Sequence, residues 1–150
     1  MRAAFGAMSI DLKDGWADTT HDVPGEDVPL TLAHQSEDAC GSFQFSTALY
    51  KSGALPRATA AKLAEMLFEF AEEHDLGEPS DSVVEDALLA LAAATFRRGG
   101  DVIRVWYVSD GASFAKVTYL SAAIHNYASE LADCEQMVRT IAFIREDEAA

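Results

Sequence analysis

Residues 102–120 constrain the fold of this chain more than any other segment. Residues 102–108 (VIRVWYV) are mostly β-branched or aromatic, and such residues favour a strand. Residues 109–112 (SDGA) have the composition of a turn, and residues 113–120 (SFAKVTYL) have the pattern of a second strand. Two strands that are joined by a short turn pair antiparallel, so the sequence predicts an antiparallel hairpin here.

Further strands are predicted on both sides of this hairpin. Residues 9–16 alternate weakly between apolar and polar, which favours one short strand. Residues 30–34 and 42–50 form the next two predicted strands, and residues 141–144 form a short closing strand.

Two helices are predicted between these strands. Residues 56–76 carry an apolar stripe at i, i+3, i+4 and i+7 spacing that begins at Leu63. The charges of this helix oppose its dipole, because acids such as Glu72 and Asp75 crowd its C-terminal end at a cost of about 0.3–1 kcal/mol each. Only packing of the stripe can therefore hold the helix in place. Residues 126–138 form the second helix. Its predicted buried stripe consists of Leu131, Cys134, Met137 and Val138.

Residues 82–98 have two interpretations. Ser82 and Glu85 have the spacing of a capping box, and the alanine-rich run that follows favours a helix. Residues 97–101 (RRGGD) also resemble a turn into the strand at 102–108, which favours a strand for the preceding run. Local signals alone favour the helix.

The charge of the chain excludes several classes of partner. It has 25 acidic and 11 basic residues, a net charge of -14 and a pI near 4.4. Nucleic acids and anionic membranes attract clustered Lys and Arg, and the basic residues here are scattered. No run approaches the roughly 20 apolar residues of a membrane span. The chain begins without the apolar run of a secretion signal, so we expect a cytoplasmic protein.

A single domain is expected, since 150 residues with a hydrophobic fraction of 49% can form one core. We place it at residues 9–145, after a flexible leader over residues 1–8 and before an acidic tail over residues 146–150. The cysteines, Cys40 and Cys134, lack the spacing of metal ligands and suit a reducing compartment. The sequence leaves open whether they pair with each other, and it does not indicate an oligomeric state.

An acidic block occupies the middle of the chain. Residues 65–86 contain nine carboxylates and no lysine or arginine. On the first helix the acids lie opposite or beside the apolar stripe, with no cation of the same helix to pair them. They should form one exposed face, which is either merely solvated or a docking surface for a basic partner. The residues of this acidic face are Glu65, Glu69, Glu72, Glu73 and Asp75.

The chain lacks the common enzyme motifs. It has no GxSxG, no glycine-rich phosphate loop, no HExxH and no EF-hand loop. His21 lies near Asp18 and Asp22, but a metal site would need a second, spaced histidine. A nucleophilic pair of Cys134 and His125 would need an exposed thiol, and Cys134 falls on an apolar helical face. We therefore expect no enzyme, no cofactor and no metal.

Trp106 and Tyr107 are neighbours in a strand, so their side chains should point to opposite faces of the sheet. Both belong to a core if helices cover both faces. On an open face an aromatic residue is a common anchor for a partner. Tyr107 and Asp110 are the hairpin residues that we expect to contribute such an anchor.

Several short motifs and their order point to a known family. They are Gly15-Trp16-Ala17-Asp18-Thr19, the hairpin Arg104-x-Trp-Tyr-x-Ser-Asp-Gly, and Val-Thr-Tyr and Ala-Ser-Glu-Leu before the last helix. Over most of residues 9–145 the chain resembles the PsbP-like α/β fold. Small bacterial members of that group include effector-associated (Eag) chaperones of type VI secretion and predicted antitoxin or immunity proteins. The resemblance implies that residues 91–98 form a strand paired with residues 102–108.

These observations predict an α+β domain, with an antiparallel sheet of about five or six strands packed against two helices. The expected function is that of a non-enzymatic immunity protein, which binds and neutralises a bacterial protein toxin. The acidic face would steer a cationic toxin surface into place. The alternative is an Eag-like chaperone that binds the apolar helices of a secreted effector, and a small-molecule enzyme comes third.

Overall fold

The structure is a computed structural model that describes residues 2–5, 8–20, 30–35, 41–49, 59–87, 89–110, 113–124 and 126–143. The strands in this part of the chain are β1 (Arg2–Phe5), β2 (Met8–Asp11), β3 (Trp16–Asp18), β4 (Leu30–His34), β5 (Gly41–Leu49), β6 (Ser80–Asp86), β7 (Ala90–Arg98), β8 (Asp101–Ser109), β9 (Ser113–Ala122) and β10 (Ala142–Phe143). The helices are α1 (Ala60–Glu73) and α2 (Ala128–Val138). The predicted α+β class is confirmed.

The strands form two antiparallel sheets. The larger has seven strands in the order β3-β4-β5-β9-β8-β7-β6, and the smaller has three in the order β1-β2-β10. The predicted hairpin is present as β8 and β9, paired from Asp101 opposite Ala122 to Ser109 opposite Phe114. The expected sheet of five or six strands is too small, because residues 80–98 add two strands, β6 and β7, to the larger sheet. Part of the predicted leader adds a strand to the smaller sheet.

α1 covers one face of the larger sheet, where it packs on β7 and β8 and contacts β6. Leu63, Leu67 and Ala71 of its stripe are buried in a core shared with alternate residues of β7. The helix begins at Thr59, whose side chain accepts a hydrogen bond from the Lys62 N–H. It is shorter than the predicted helix over 56–76, of which residues 56–58 lie outside the described part of the chain.

The opposite face of the larger sheet carries α2 and the smaller sheet. The larger core lies here and includes Trp106, Phe43 and the α2 residues Cys134 and Met137. Trp106 and Tyr107 lie in the cores on opposite faces of the sheet, as predicted, and both are buried because each face is covered.

The beginning of the chain differs from the sequence-based expectation. Where a flexible leader over residues 1–8 is predicted, Arg2–Phe5 forms a strand paired with β2, and Met8 is the first residue of β2. The single strand predicted over 9–16 is divided into β2 and β3 by a turn at Gly15, whose φ of 90 is readily available to glycine. The predicted acidic tail, residues 146–150, lies outside the described residues.

Residues 82–98 contain strand and no helix among the residues described. Arg98 of β7 lies opposite Asp101 of β8, and the pairing continues to Ala90 opposite Ser109. The pairing implied by the family resemblance is confirmed, and the local interpretation as a helix is wrong. β7 is hydrogen-bonded to strands on both sides and is buried from Ala90 to Phe96. Burial and pairing here outweigh the intrinsic preference of alanine for helix.

Candidate functional site

The acidic face of α1 is exposed to solvent, as predicted. Its residues Glu65, Glu69, Glu72, Glu73 and Asp75 are all exposed. Lys62 Nζ lies 3.5 Å from Glu65 Oε2, so the expectation that no cation of the same helix pairs these acids is wrong at Glu65. This exposed pair contributes only about 0.2–1 kcal/mol. The other four acids form no ion pair with any residue that the structure describes. The face therefore keeps most of its negative charge.

α1 ends in a Schellman motif that has aspartate where glycine is usual. The Leu76 N–H donates to the Ala71 carbonyl at 2.9 Å, and the Asp75 N–H donates to the Glu72 carbonyl at 3.2 Å. Asp75 has a φ of 52, a left-handed conformation that is less favourable for a residue with a side chain than for glycine. Its carboxylate also lies at the negative end of the helix dipole. Two local preferences are thus broken at one residue of the acidic face.

Two cations from the sheet approach the C-terminal half of α1. Arg98 Nη1 donates to the His74 carbonyl at 3.0 Å and so caps a helix whose last turn contains no base. Lys116 Nζ lies 4.4 Å from the centroid of the Phe70 ring, a cation–π contact. Neither cation forms an ion pair with a described acid, so the acidic face is not neutralised by the sheet.

A cleft of about 420 Å³ opens between the end of α1 and the start of β6. Its lining residues are Phe68, Ala71, Glu72, Asp75, Gly77, Glu78 and Pro79. Phe68 is 41% exposed, which is unusual for a phenylalanine. An exposed ring beside carboxylates suits a cation on an apolar stem, because the ring contacts the methylenes and the carboxylates bind the charge. Lysine and arginine side chains have this chemistry.

Tyr107 does not belong to the exposed surface. It is only 6% exposed beneath α1, and its ring centroid lies 6.5 Å from that of Phe70. Burial raises the pKa of Tyr107 to about 12, and the negative charge of Glu73 adds to the rise. An anchor for a partner would need this ring at the surface, so we do not retain that role. Asp110 follows β8 and is half-buried, and its predicted role stays a prediction.

Sequence reasoning missed a buried ionic network on the opposite face of the sheet. Arg104 of β8 is only 4% exposed and pairs through Nε with Glu135 of α2. Its Nη1 donates to the Thr95 hydroxyl at 2.8 Å and to the Asp81 carbonyl at 3.0 Å. A charged residue two positions before the inward-pointing Trp106 was the signal for such a network, since both side chains share a face.

This network links α2 to three strands of the larger sheet. Arg139, at the end of α2, binds Glu135 Oε2 and Glu85 Oε1 of β6, each at 2.9 Å. Trp106 Nε1 donates to Glu135 Oε1 at 3.1 Å. No buried side-chain nitrogen or oxygen in the described residues lacks a hydrogen-bond partner. The network is therefore fully satisfied and positions α2.

The described residues do not assemble a metal or nucleophile site. No group of three or more His, Cys, Asp and Glu residues among them has the arrangement of a metal site. Cys134 is a buried free thiol, and burial, with the nearby acids Glu130, Asp133 and Glu135, raises its pKa. The residues His21, Cys40 and His125 lie outside the described part of the chain. Neither described helix has the length and hydropathy needed to cross a bilayer.

Comparison with known proteins yields a fold and no family. No protein-family model matches the chain, and no curated protein matches it significantly. A crystal structure from Bacteroides thetaiotaomicron VPI-5482, at 1.50 Å resolution, is similar with a TM-score of 0.58 and 12% sequence identity. The similar region covers 94% of this chain and 46% of that one, so this chain spans about half the length of its neighbour. The likeness shows the fold alone, and the resemblance to the PsbP-like group stays a prediction.

Proposed function

We propose that this protein is a non-enzymatic immunity protein that binds a basic bacterial toxin through the acidic face of α1 and so neutralises it in the cytoplasm. The observation that carries the proposal is that Glu69, Glu72, Glu73 and Asp75 are exposed and form no ion pair within the described chain. Their number on one helix makes a concentrated negative field. Such a field attracts a surface of opposite charge and can raise an association rate by roughly 10–1000-fold.

Asp75 supports this proposal independently of the charge count. Its left-handed φ and its place at the end of α1 both disfavour an aspartate, and glycine would satisfy both requirements. Residues that break local rules in this way are concentrated at functional sites. The adjoining cleft, with Phe68 and three carboxylates, gives a bound lysine or arginine side chain a place to insert.

The test begins with the products of the genes that flank this one. Each product is expressed in a bacterial host with and without this protein, and rescue of growth identifies a toxin that is neutralised. Association of the purified pair is then followed by stopped-flow fluorescence over a range of salt concentrations. We expect the rate to fall as salt rises, because salt screens the exposed charges.

The decisive variant carries Glu69→Gln, Glu72→Gln, Glu73→Gln and Asp75→Asn. We expect its association rate to fall by roughly tenfold or more and to lose most of its salt dependence. A variant with Asp11→Asn and Asp101→Asn, which removes exposed acids outside the acidic face, serves as the control and should keep the wild-type rate. An association rate that the α1 variant leaves unchanged would refute the steering role. Salt-independent binding would instead favour the Eag-like chaperone, which captures apolar helices.

A further inference from the structure

In the described part of the chain, the larger sheet has β3 at one edge and β6 at the other. In the part of the chain that the structure describes, β6 pairs only with β7 and ends the strand order of the sheet. The backbone N–H and C=O groups on its outer side are then available to a further strand. Exposed edges of this kind bind extended peptides by main-chain hydrogen bonding in several recognition domains.

The second half of β6 is a regular and firmly held template. Its register to β7 shifts between Ser80 and Val83, and from Val83 to Asp86 the pairing is regular. The irregular half contacts the interior of the protein, since the Asp81 carbonyl there accepts a hydrogen bond from the buried Arg104. The regular half is therefore the part of β6 best suited to pair with an added strand.

Contacts on both faces fix this regular half in place. Val83 packs against the larger core, and Glu85 is bound to Arg139. Asp86 Oδ1 accepts a hydrogen bond from the Ala60 N–H at 3.4 Å, which ties the strand to the start of α1. A strand that is already ordered loses little conformational entropy when another strand binds to it.

The surroundings of β6 select the side chains of the added strand. On the α2 side a cleft of about 190 Å³ is lined by Glu85, Ala87, Leu89, Leu91 and Arg139, and it suits an apolar side chain. On the α1 side Val84 is 55% exposed and Asp86 is also exposed. Because successive side chains of a strand alternate between faces, these surroundings suit a segment that alternates apolar and basic residues.

We infer that β6 binds an extended basic segment of a partner protein by strand addition. β6 contains three carboxylates and no base. Glu85 is already paired with Arg139, so the carboxylate of the regular half that is left for a basic side chain is Asp86, on the α1 side. A second copy of β6 would place like charges near Asp86, whereas a basic segment would pair with it. The inference rests on the proposed function only for the positive charge of the partner. It adds a second contact surface, next to the acidic face, since α1 contacts β6 directly.

The probe is the acetylated and amidated peptide KVKVKV, added to the uniformly 15N-labelled full chain. We expect slowed hydrogen exchange for outward-facing amides between Val83 and Asp86 when the peptide is saturating, by about tenfold or more, because strand pairing protects amides. N-methyl groups on alternate residues remove the N–H donors along one edge of the extended peptide. A peptide that is methylated on the edge that pairs with β6 should not bind, and a peptide that is methylated on the opposite edge should bind as the unmodified peptide does. Equal binding of both methylated peptides, or no protection in β6, would overturn the inference.

A pair of protein variants separates the β6 edge from the general charge of the protein. Val84→Lys puts a positive charge beside the added strand and should weaken KVKVKV binding by about fivefold or more. Ile124→Lys makes the same kind of change at a residue that is 91% exposed and lies after β9, and it should leave binding within about twofold of the wild type. Equal effects of the two variants would contradict an edge site.

The two proposals can fail separately. The α1 variant that tests the proposed function leaves the β6 edge intact and should still show protection of Val83–Asp86 by KVKVKV. Val84→Lys in turn should leave the salt-dependent steering by α1 in place. If sedimentation shows a dimer that Val84→Lys dissociates, the occupant of the edge is a second copy of this chain, and the inference of a basic partner segment is wrong.

Discussion

Replacing Asp75 by glycine should stabilise this protein. The wild-type residue holds a φ of 52 at the end of α1, and relief of that conformation contributes about 1 kcal/mol. Removal of a carboxylate from the negative end of the helix dipole adds about 0.3–1 kcal/mol. Glycine also has more conformational freedom in the unfolded chain, which lowers the free energy of unfolding by about 0.4–1 kcal/mol. The net gain is about 0.3–1.6 kcal/mol, or about 1–6 °C in Tm for a domain of this size.

Urea denaturation followed by circular dichroism measures this gain as a shift in the midpoint at constant slope. Asp75→Asn removes the charge and keeps an amide that tolerates the left-handed region, so it should gain only about 0.3–1 kcal/mol. Asp75→Ala retains a Cβ without that tolerance and should be less stable than Asp75→Gly. Should Asp75→Ala equal or exceed Asp75→Gly in stability, our account of this helix end is wrong.

Gly77 offers a matched control for the backbone effect. It has a φ of 86, and a Cβ added there would meet no atom within 4 Å. Gly77→Ala should therefore lose about 1 kcal/mol through backbone conformation alone. Opposite signs for Asp75→Gly and Gly77→Ala would show that the left-handed conformation, and not a local contact, decides stability in this turn.

Three further predictions concern buried groups. Arg104→Met should destabilise the protein by about 3 kcal/mol in urea, because it removes one partner of a buried ion pair; a loss well below 1 kcal/mol would contradict the network. In a Cys40→Ser background, Cys134 should react with a thiol reagent only after denaturation, since burial raises the pKa of its thiol; reaction of the native protein at the rate of a free thiol would show that it is accessible. Tyr107 has a folded pKa of about 12, above its usual value near 10, so its contribution to stability is present below pH 10 and lost as the pH rises toward 12. The difference in absorbance titration at 295 nm between the wild type and Tyr107→Phe should show a midpoint near 12, and a midpoint near 10 would mean that the hydroxyl is solvated.

The sequence allowed prediction of the elements that depend on local pattern. The hairpin of β8 and β9 follows from β-branched residues on either side of a turn, and α1 follows from a stripe at helical spacing. The exposed position of the acidic face follows from the same stripe, because residues opposite a buried face point to solvent. These features need no knowledge of distant contacts.

The features that local sequence signals missed depend on residues far apart in the chain. The preference of β7 for strand comes from β6 and β8 on its edges and from cores on both faces. The pairing of Arg104 with Glu135 joins two elements that no local rule connects. The same holds for Arg98, which caps α1 from the end of β7. Local signals at these positions were weak or pointed to helix.

The alanines of β7 form the surface on which α1 packs. Ala90, Ala92 and Ala94 face α1, and their single methyl groups let the helix axis approach the sheet closely. A valine at Ala92 would suit a strand better by intrinsic preference, yet its two extra methyl groups would collide with a helix already in contact. At Ala92, a residue that favours the strand by intrinsic preference would therefore destabilise the packing of α1 on the sheet.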